Sequence, residues 1–194
     1  MSARDVPDAT MGLDLGPVAD GTVTVGVAVA VPDPHAAELQ QHRRSFGDPL
    51  ADAVPAHVTL LPPTPLPAGS VDGVLEHLDR AARGTAPFTM RLRGTGTFRP
   101  VSPVVFVQVA EGIAACELLE RAVRCGPLQR DVEFAYHPHV TVAHHVAPPA
   151  LDRAFDELAD YEVAFGVDAF WLYRHGDDGV WRPDHRFALT GGAR

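Results

Sequence analysis

Lysine is absent from this sequence: all 16 basic residues are arginine. That omission removes several chemistries at once. There is no phosphate-loop lysine, no amine for a Schiff base, and no side chain for a ligase that carries its nucleotide on lysine. Cysteine is scarce, and Cys116 and Cys125 fall in one expected helix over about 111–125. At about 100° per residue their spacing puts them on opposite faces, so they cannot bridge while the helix stands. Two cysteines are also too few for a zinc ribbon, and both read as small buried fillers. No apolar run approaches the roughly 20 residues of a membrane helix. Positive charge is short as well. A formal charge of −9 argues against a broad grip on long nucleic acid, though a local arginine cluster would suffice for a small anion.

What is present describes an ordinary globular chain. Its 194 residues, 46% apolar and 21% charged, suffice for one well-buried domain or one domain of two similar lobes. Residues 1–21 are polar and acidic, without a basic stretch leading into an apolar core, and read as a leader rather than a signal peptide.

The chain repeats itself once, at an offset of 82 residues. Val23-Thr24-Val25-Gly26-Val27 aligns with Val105-Phe106-Val107-Gln108-Val109, His57-Val58-Thr59 with His139-Val140-Thr141, and Phe88 with Phe170. The first repeat, about 22–98, reads as a Val-rich strand at 22–31 and a helix at 34–46 with Asp33 as N-cap and Pro34 at its first position. A strand carrying His57 follows and stops at Pro62-Pro63. Ser70 then caps a helix to 83, with Val71, Val74, Leu75 and Leu78 at helical spacing, before a strand at 88–98. The second repeat, about 103–190, reads as a strand at 103–110 and a helix at 111–125 using Ile113, Leu118, Leu119 and Ala122. The strand of His139 covers 139–146, and Pro148-Pro149 opens a helix to 160. A last hairpin, 162–174 with 180–190, turns at Gly176-Asp177-Asp178-Gly179. The interleaved pattern predicts an α+β fold of two pseudo-symmetric lobes, 22–194 in all, each a largely antiparallel sheet with outer helices.

Alternate residues of a strand share a face, so His57 and Thr59 point one way while Val58 and Leu60 enter the core. His139 and Thr141 stand in the same relation to Val140 and Val142. Two imidazole–hydroxyl pairs across a cleft suit phosphodiester chemistry. One imidazole takes a proton from the attacking oxygen and the other gives one to the leaving oxygen, each transfer contributing about 10²- to 10⁴-fold. An unperturbed imidazole titrates near about 6.5, so both states are at hand. The threonine hydroxyls would hold non-bridging oxygens. Which histidine is acid and which base stays open.

Pro55-Ala56-His57-Val58-Thr59-Leu60-Leu61-Pro62-Pro63 and His137-Pro138-His139-Val140-Thr141-Val142-Ala143 resemble the paired motifs of the two-histidine (2H) phosphoesterase superfamily, in its bacterial 2'-5' RNA ligase-like branch. The resemblance covers about 22–190. It implies a bilobal fold with the active-site cleft between lobes, and metal-independent cleavage of 2',3'-cyclic phosphates or 2'-5' linkages of nucleotides or RNA ends, in some members reversed to ligation. It implies His57 and His139 as catalytic residues and Thr59 and Thr141 as phosphate-binding ones, with no metal or cofactor. A departure is His144-His145, where many relatives carry a basic residue. The expected partner is a nucleotide or RNA end, with no extended nucleic-acid surface and no membrane, for a monomer in the cytoplasm. A non-catalytic nucleotide- or RNA-end-binding protein on the same fold is the alternative, and a His-rich metal hydrolase a third reading.

Other signals are weaker. His137, His139 and His145 share strand parity and would be the residues of a metal site, but Pro138 and Pro148 bound the strand and no carboxylate lies in it. His137, His144 and His145 read as rim or surface residues, and His35, His42, His77, His175 and His185 as structural or solvated. Arg91 and Arg93 share a strand face, and Arg174 and Arg186 lie on the last hairpin, each a candidate substrate contact or a solvated side chain. Arg43-Arg44 ends a helix, where the dipole explains it. Phe98, Phe134, Tyr136 and Trp171 are the aromatics nearest the motifs for stacking a base. Gly94-Thr95-Gly96 reads as a bulge rather than a dinucleotide fingerprint, and Ser70 and Ser102 have no triad context.

Overall fold

The structure, a computed structural model, describes residues 21–131 and 134–192. The expected leader, apart from Gly21, lies outside them. The elements run β1 (Thr22–Ala30), α1 (His35–Ser45), β2 (His57–Pro67), α2 (Val71–Arg83), β3 (Phe88–Thr97), β4 (Val105–Glu111), α3 (Ile113–Val123), β5 (His139–Ala143), α4 (Pro148–Glu157), β6 (Glu162–Val167), β7 (Ala169–His175) and β8 (Trp181–Ala188). Short 3₁₀ turns precede α2 and follow α3. No described helix is long and apolar enough to cross a membrane.

Among the described residues eight strands form two antiparallel four-stranded sheets, ordered β2-β1-β7-β8 and β5-β4-β3-β6. The α+β architecture with two equivalent sheets is as expected. The lobes, however, are not the two repeats. The 82-residue offset carries β2 onto β5, β1 onto β4 and β3 onto β7. Yet β3 pairs in the second repeat's sheet and β7 beside β1 in the first. The first repeat therefore gives β3 to the other's sheet, and the second gives β7 and β8 in return. The expected single strand over 162–174 breaks at Asp168 for the same reason, because β6 pairs with β3 while β7 pairs with β1 and β8.

Val27, Val29, Val58 and Leu60 of one sheet and Val105, Val107, Val140 and Val142 of the other belong to one continuous core, joined by Leu78 of α2 and Leu151 of α4. The edge strands β2 and β5 pack against each other where the sheets meet. That seam places the two His-x-Thr triplets side by side.

Several local expectations are corrected. β2 does not stop at Pro62-Pro63 but pairs on to Pro67; it is an edge strand, where a residue without an N–H costs no ladder bond on the open side. β5 ends at Ala143 rather than 146, and the chain turns at His145, whose φ is 53°. In α3 the exposed residues include Ile113 and Leu118, while Cys116, Leu119 and Val123 face the core. Cys125 lies beyond that helix and is exposed, so only Cys116 is a buried filler. Ser70 stands at the N-cap of α2 without a side-chain cap bond; its hydroxyl donates to the Pro67 carbonyl at 2.7 Å. The N-cap of α1 is Pro34 rather than Asp33, and Asp33, one residue further out, accepts the Ala37 N–H at 3.3 Å. Gly94, at φ 66°, sits in the irregularity between Leu92 and Thr95 where β3 bulges against β4.

Candidate active site

His57 opens β2 and His139 opens β5, and both imidazoles are buried, at 6% and 8% exposure. Val58 and Val140 behind them are fully enclosed, so the alternation of each strand fixes which way the histidine faces. The two rings are anchored alike. Nδ1 of His57 donates to the Pro55 carbonyl at 2.7 Å, and Nδ1 of His139 donates to the His137 carbonyl at 2.7 Å. A carbonyl accepts only, so each ring carries a proton on Nδ1. Nε2 of His57 receives the Thr59 hydroxyl at 3.1 Å.

Burial pushes the His57 imidazole down to about 4; the Pro55 carbonyl opposes that shift, while the positive charges of Arg43 and of His139 reinforce it. His139 is thus close enough for its charge to act on His57. The seam is bound by further contacts. The Tyr136 hydroxyl donates to the Thr59 main-chain carbonyl at 3.0 Å, and Arg130 reaches Thr64 Oγ1 at 3.1 Å.

The surroundings of the two histidines differ. His139 lies against Phe98 and Phe106, each with its ring centroid 4.9 Å away, and the two phenylalanines contact each other at 4.5 Å. Gly96 opposes Phe106 across the β3–β4 pair, and a Cβ there would lie 2.5 Å from the ring. His57 has instead a buried ion pair for a neighbour, Arg43 Nε to Asp48 Oδ2 at 2.8 Å. Neither Phe106 nor this pair was singled out by sequence. Phe106 carried a signal, since it is the aromatic member of the repeated strand. Arg43 carried none, because a helix-end arginine ordinarily faces solvent.

Of the other candidates, Arg91 is taken by Glu111 and Glu162, Arg174 by Asp184 and Arg186 by Asp168, all on exposed or half-exposed surface. Arg93 is exposed beside its cross-strand partner Glu162. Phe134 is exposed and Trp171 half-buried in a small cluster with Ala28, Val54, Tyr173 and Trp181. His137 is exposed, but His144 is buried at 4%, a correction to its surface assignment; its N–H is held by Asp48 at 3.1 Å. His77 is buried and bonds to the Val123 carbonyl at 2.9 Å, linking α2 to the end of α3. Among the described residues no three His, Cys, Asp or Glu side chains converge as a metal site needs.

A duplicated α+β fold with one buried His-x-Thr on each of two abutting edge strands defines the class. The sequence profile of the 2'-5' RNA ligase superfamily matches residues 31–179, and the chain belongs to that superfamily, the two-histidine phosphoesterases. A Bacillus pumilus protein named "Putative phosphoesterase" is 28% identical over 165 residues, covering 83% of this chain and 95% of its own length. The crystal structure of Escherichia coli LigT complexed with 3'-AMP superposes with a TM-score of 0.61 at 20% identity, over 87% of this chain and 99% of LigT. A Thermus thermophilus protein gives a TM-score of 0.57 at 28% identity, over 88% of this chain and 100% of its own.

Proposed function

We propose that this phosphoesterase is a metal-independent phosphodiesterase acting on the 2',3'-cyclic phosphate or 2'-5' linkage of a nucleotide or RNA end, with 2'-5' ligation as the reverse reaction. His57 and His139 are the proton-transfer pair, and Thr59 and Thr141 bind the non-bridging oxygens. One imidazole accepts the proton of the attacking water as the new P–O bond forms. The other delivers a proton to the ribose oxygen as its bond to phosphorus breaks. The observation that carries this reading is the identical anchoring of the two rings: each is fixed through Nδ1 to the carbonyl two residues earlier. That arrangement presets the tautomer a proton shuttle needs. Superfamily membership and the 3'-AMP complex of LigT support a nucleotide substrate.

The test is turnover of 2',3'-cyclic nucleotides and of cyclic-phosphate-ended oligonucleotides in EDTA. Activity that survives the chelator and falls by about 10²-fold or more in each of His57→Ala and His139→Ala is expected. Activity indifferent to either substitution overturns the reading. Saturable binding without product would instead favour a non-catalytic binder.

A further inference from the structure

The Arg43–Asp48 pair is among the most enclosed charged groups in the protein, with side-chain exposures of 4% and 0%. Burying two charges is expensive, and an apolar pair of like volume is often no less stable, so stability alone is a weak account of it. Its bonds point elsewhere. Arg43 Nη1 donates to the Val54 carbonyl at 3.2 Å, one residue before the Pro55 carbonyl that anchors His57. Asp48 Oδ1 accepts the Leu50 N–H at 2.8 Å, closing the loop that leads into β2. Asp48 Oδ2 accepts both Arg43 Nε and, across the seam, the main-chain N–H of His144 at 3.1 Å, just beyond the strand of His139. One ion pair thus grips the approach to His57 and the exit from the His139 strand.

We propose that Arg43 and Asp48 are positioning residues: a buried latch that sets the two triplets against each other and places the Arg43 charge beside His57. The inference rests on the reading of His57 and His139 as a proton-transfer pair. The charged groups acting on His57 are Arg43 on α1 and His139 on β5; Asp48 is held against Arg43 and also accepts the His144 N–H. Arg43 and His139 both disfavour the His57 imidazolium. The latch thus sits on α1 and the loop after it, outside both triplets, and the repeat does not share it, since position 43 aligns with Cys125.

The experiment follows the His57 imidazole by NMR titration in substrate-free protein, then the pH profile of kcat/KM. Arg43→Met/Asp48→Asn removes both charges at similar volume. A wild-type midpoint of about 4 is expected, and in the double variant it should rise toward 6.5 without reaching it, because burial still acts. The acid limb of kcat/KM moves with it. Arg44→Met/Asp52→Asn, the exposed ion pair one residue along, leaves the midpoint in place. Arg43→Lys keeps the charge but not the fork, so the midpoint stays low while kcat drops by about 10²-fold with KM little changed. An unmoved midpoint in the double variant overturns the proposal, as does a lysine variant with full kcat. The second criterion decides if the double variant fails to fold. If the wild type turns over no phosphodiester, the proposed function fails while the titrations still report on the latch.

Discussion

The hydroxyl of Tyr136 and the main-chain carbonyl of Thr59 meet at 3.0 Å across the seam between the two sheets. Tyr136 lies three residues before His139, and Thr59 two residues after His57, so this bond ties the approach of one triplet to the strand of the other. Burial pushes the Tyr136 phenol well above its ordinary value and keeps it a neutral donor at every working pH. Tyr136→Phe removes the donor alone. A loss of about 1 kcal/mol in urea unfolding is expected, together with a fall in kcat larger than the rise in KM. A variant with unchanged kcat would mean that the seam is held without this bond.

His57 makes stability depend on pH in a definite direction. Its folded value is about 4 against 6.5 for a free imidazole. Above 6.5 neither state is protonated and its contribution is complete. Between 6.5 and 4 the unfolded chain takes up a proton that the folded one refuses, so stability falls as the pH drops; below 4 the loss levels off. At about 1.4 kcal/mol per unit, roughly 2 kcal/mol disappears between about pH 7 and about pH 5. His57→Gln lacks that term. Urea midpoints for both proteins at the two pH values give the difference, and parallel losses would remove His57 as the cause. In catalysis the same value puts the acid limb of kcat/KM near 4.

Two glycines are expected to respond oppositely to alanine. A Cβ at Gly96 meets the Phe106 ring at 2.5 and 2.6 Å, so the ring must move, and it rests against both Phe98 and His139. Gly96→Ala should cost about 1–3 kcal/mol and lower kcat as His139 loses its support. A Cβ at Gly73, on the exposed side of α2, meets nothing within 4 Å. Gly73→Ala should stabilise by about 1 kcal/mol and leave activity alone. Thermal melts and steady-state rates on the two variants check both, and a fully active Gly96→Ala would show the aromatic support to be dispensable.

Much of this site was legible because a strand's period of two is a local property. Val58 and Val140 mark the core face, and His57, Thr59, His139 and Thr141 follow on the other. Pairing is not local, which is why β3 and β7 could exchange sheets without any trace in their own sequences. The proline run after Leu61 looked like a stop because nothing nearby says that β2 is an edge. Arg43 was hidden for a related reason. Its charge is met by Asp48, five residues on, which is itself bound to His144, 96 residues beyond, and neither distance leaves a pattern.

The two cysteines offer a test of α3 that needs no substrate. Sequence spacing put both in one helix, whereas the structure ends that helix at Val123 and separates their environments. Cys116 is fully enclosed, and burial, reinforced by Glu117, pushes its thiol up to about 12, so almost no thiolate forms near neutral pH. Cys125 is exposed, its thiol donating to the Ala122 carbonyl at 3.2 Å. Because the thiolate is the reactive form, a thiol reagent should modify Cys125 readily in the native protein and Cys116 only after unfolding. Mass mapping after brief labelling, with and without urea, distinguishes the sites. Cys125→Ser should then leave native protein almost unlabelled and its fold intact, since no core contact is lost. Rapid native labelling at Cys116 would mean that α3 opens readily, and with it the wall that α3 forms beside β2.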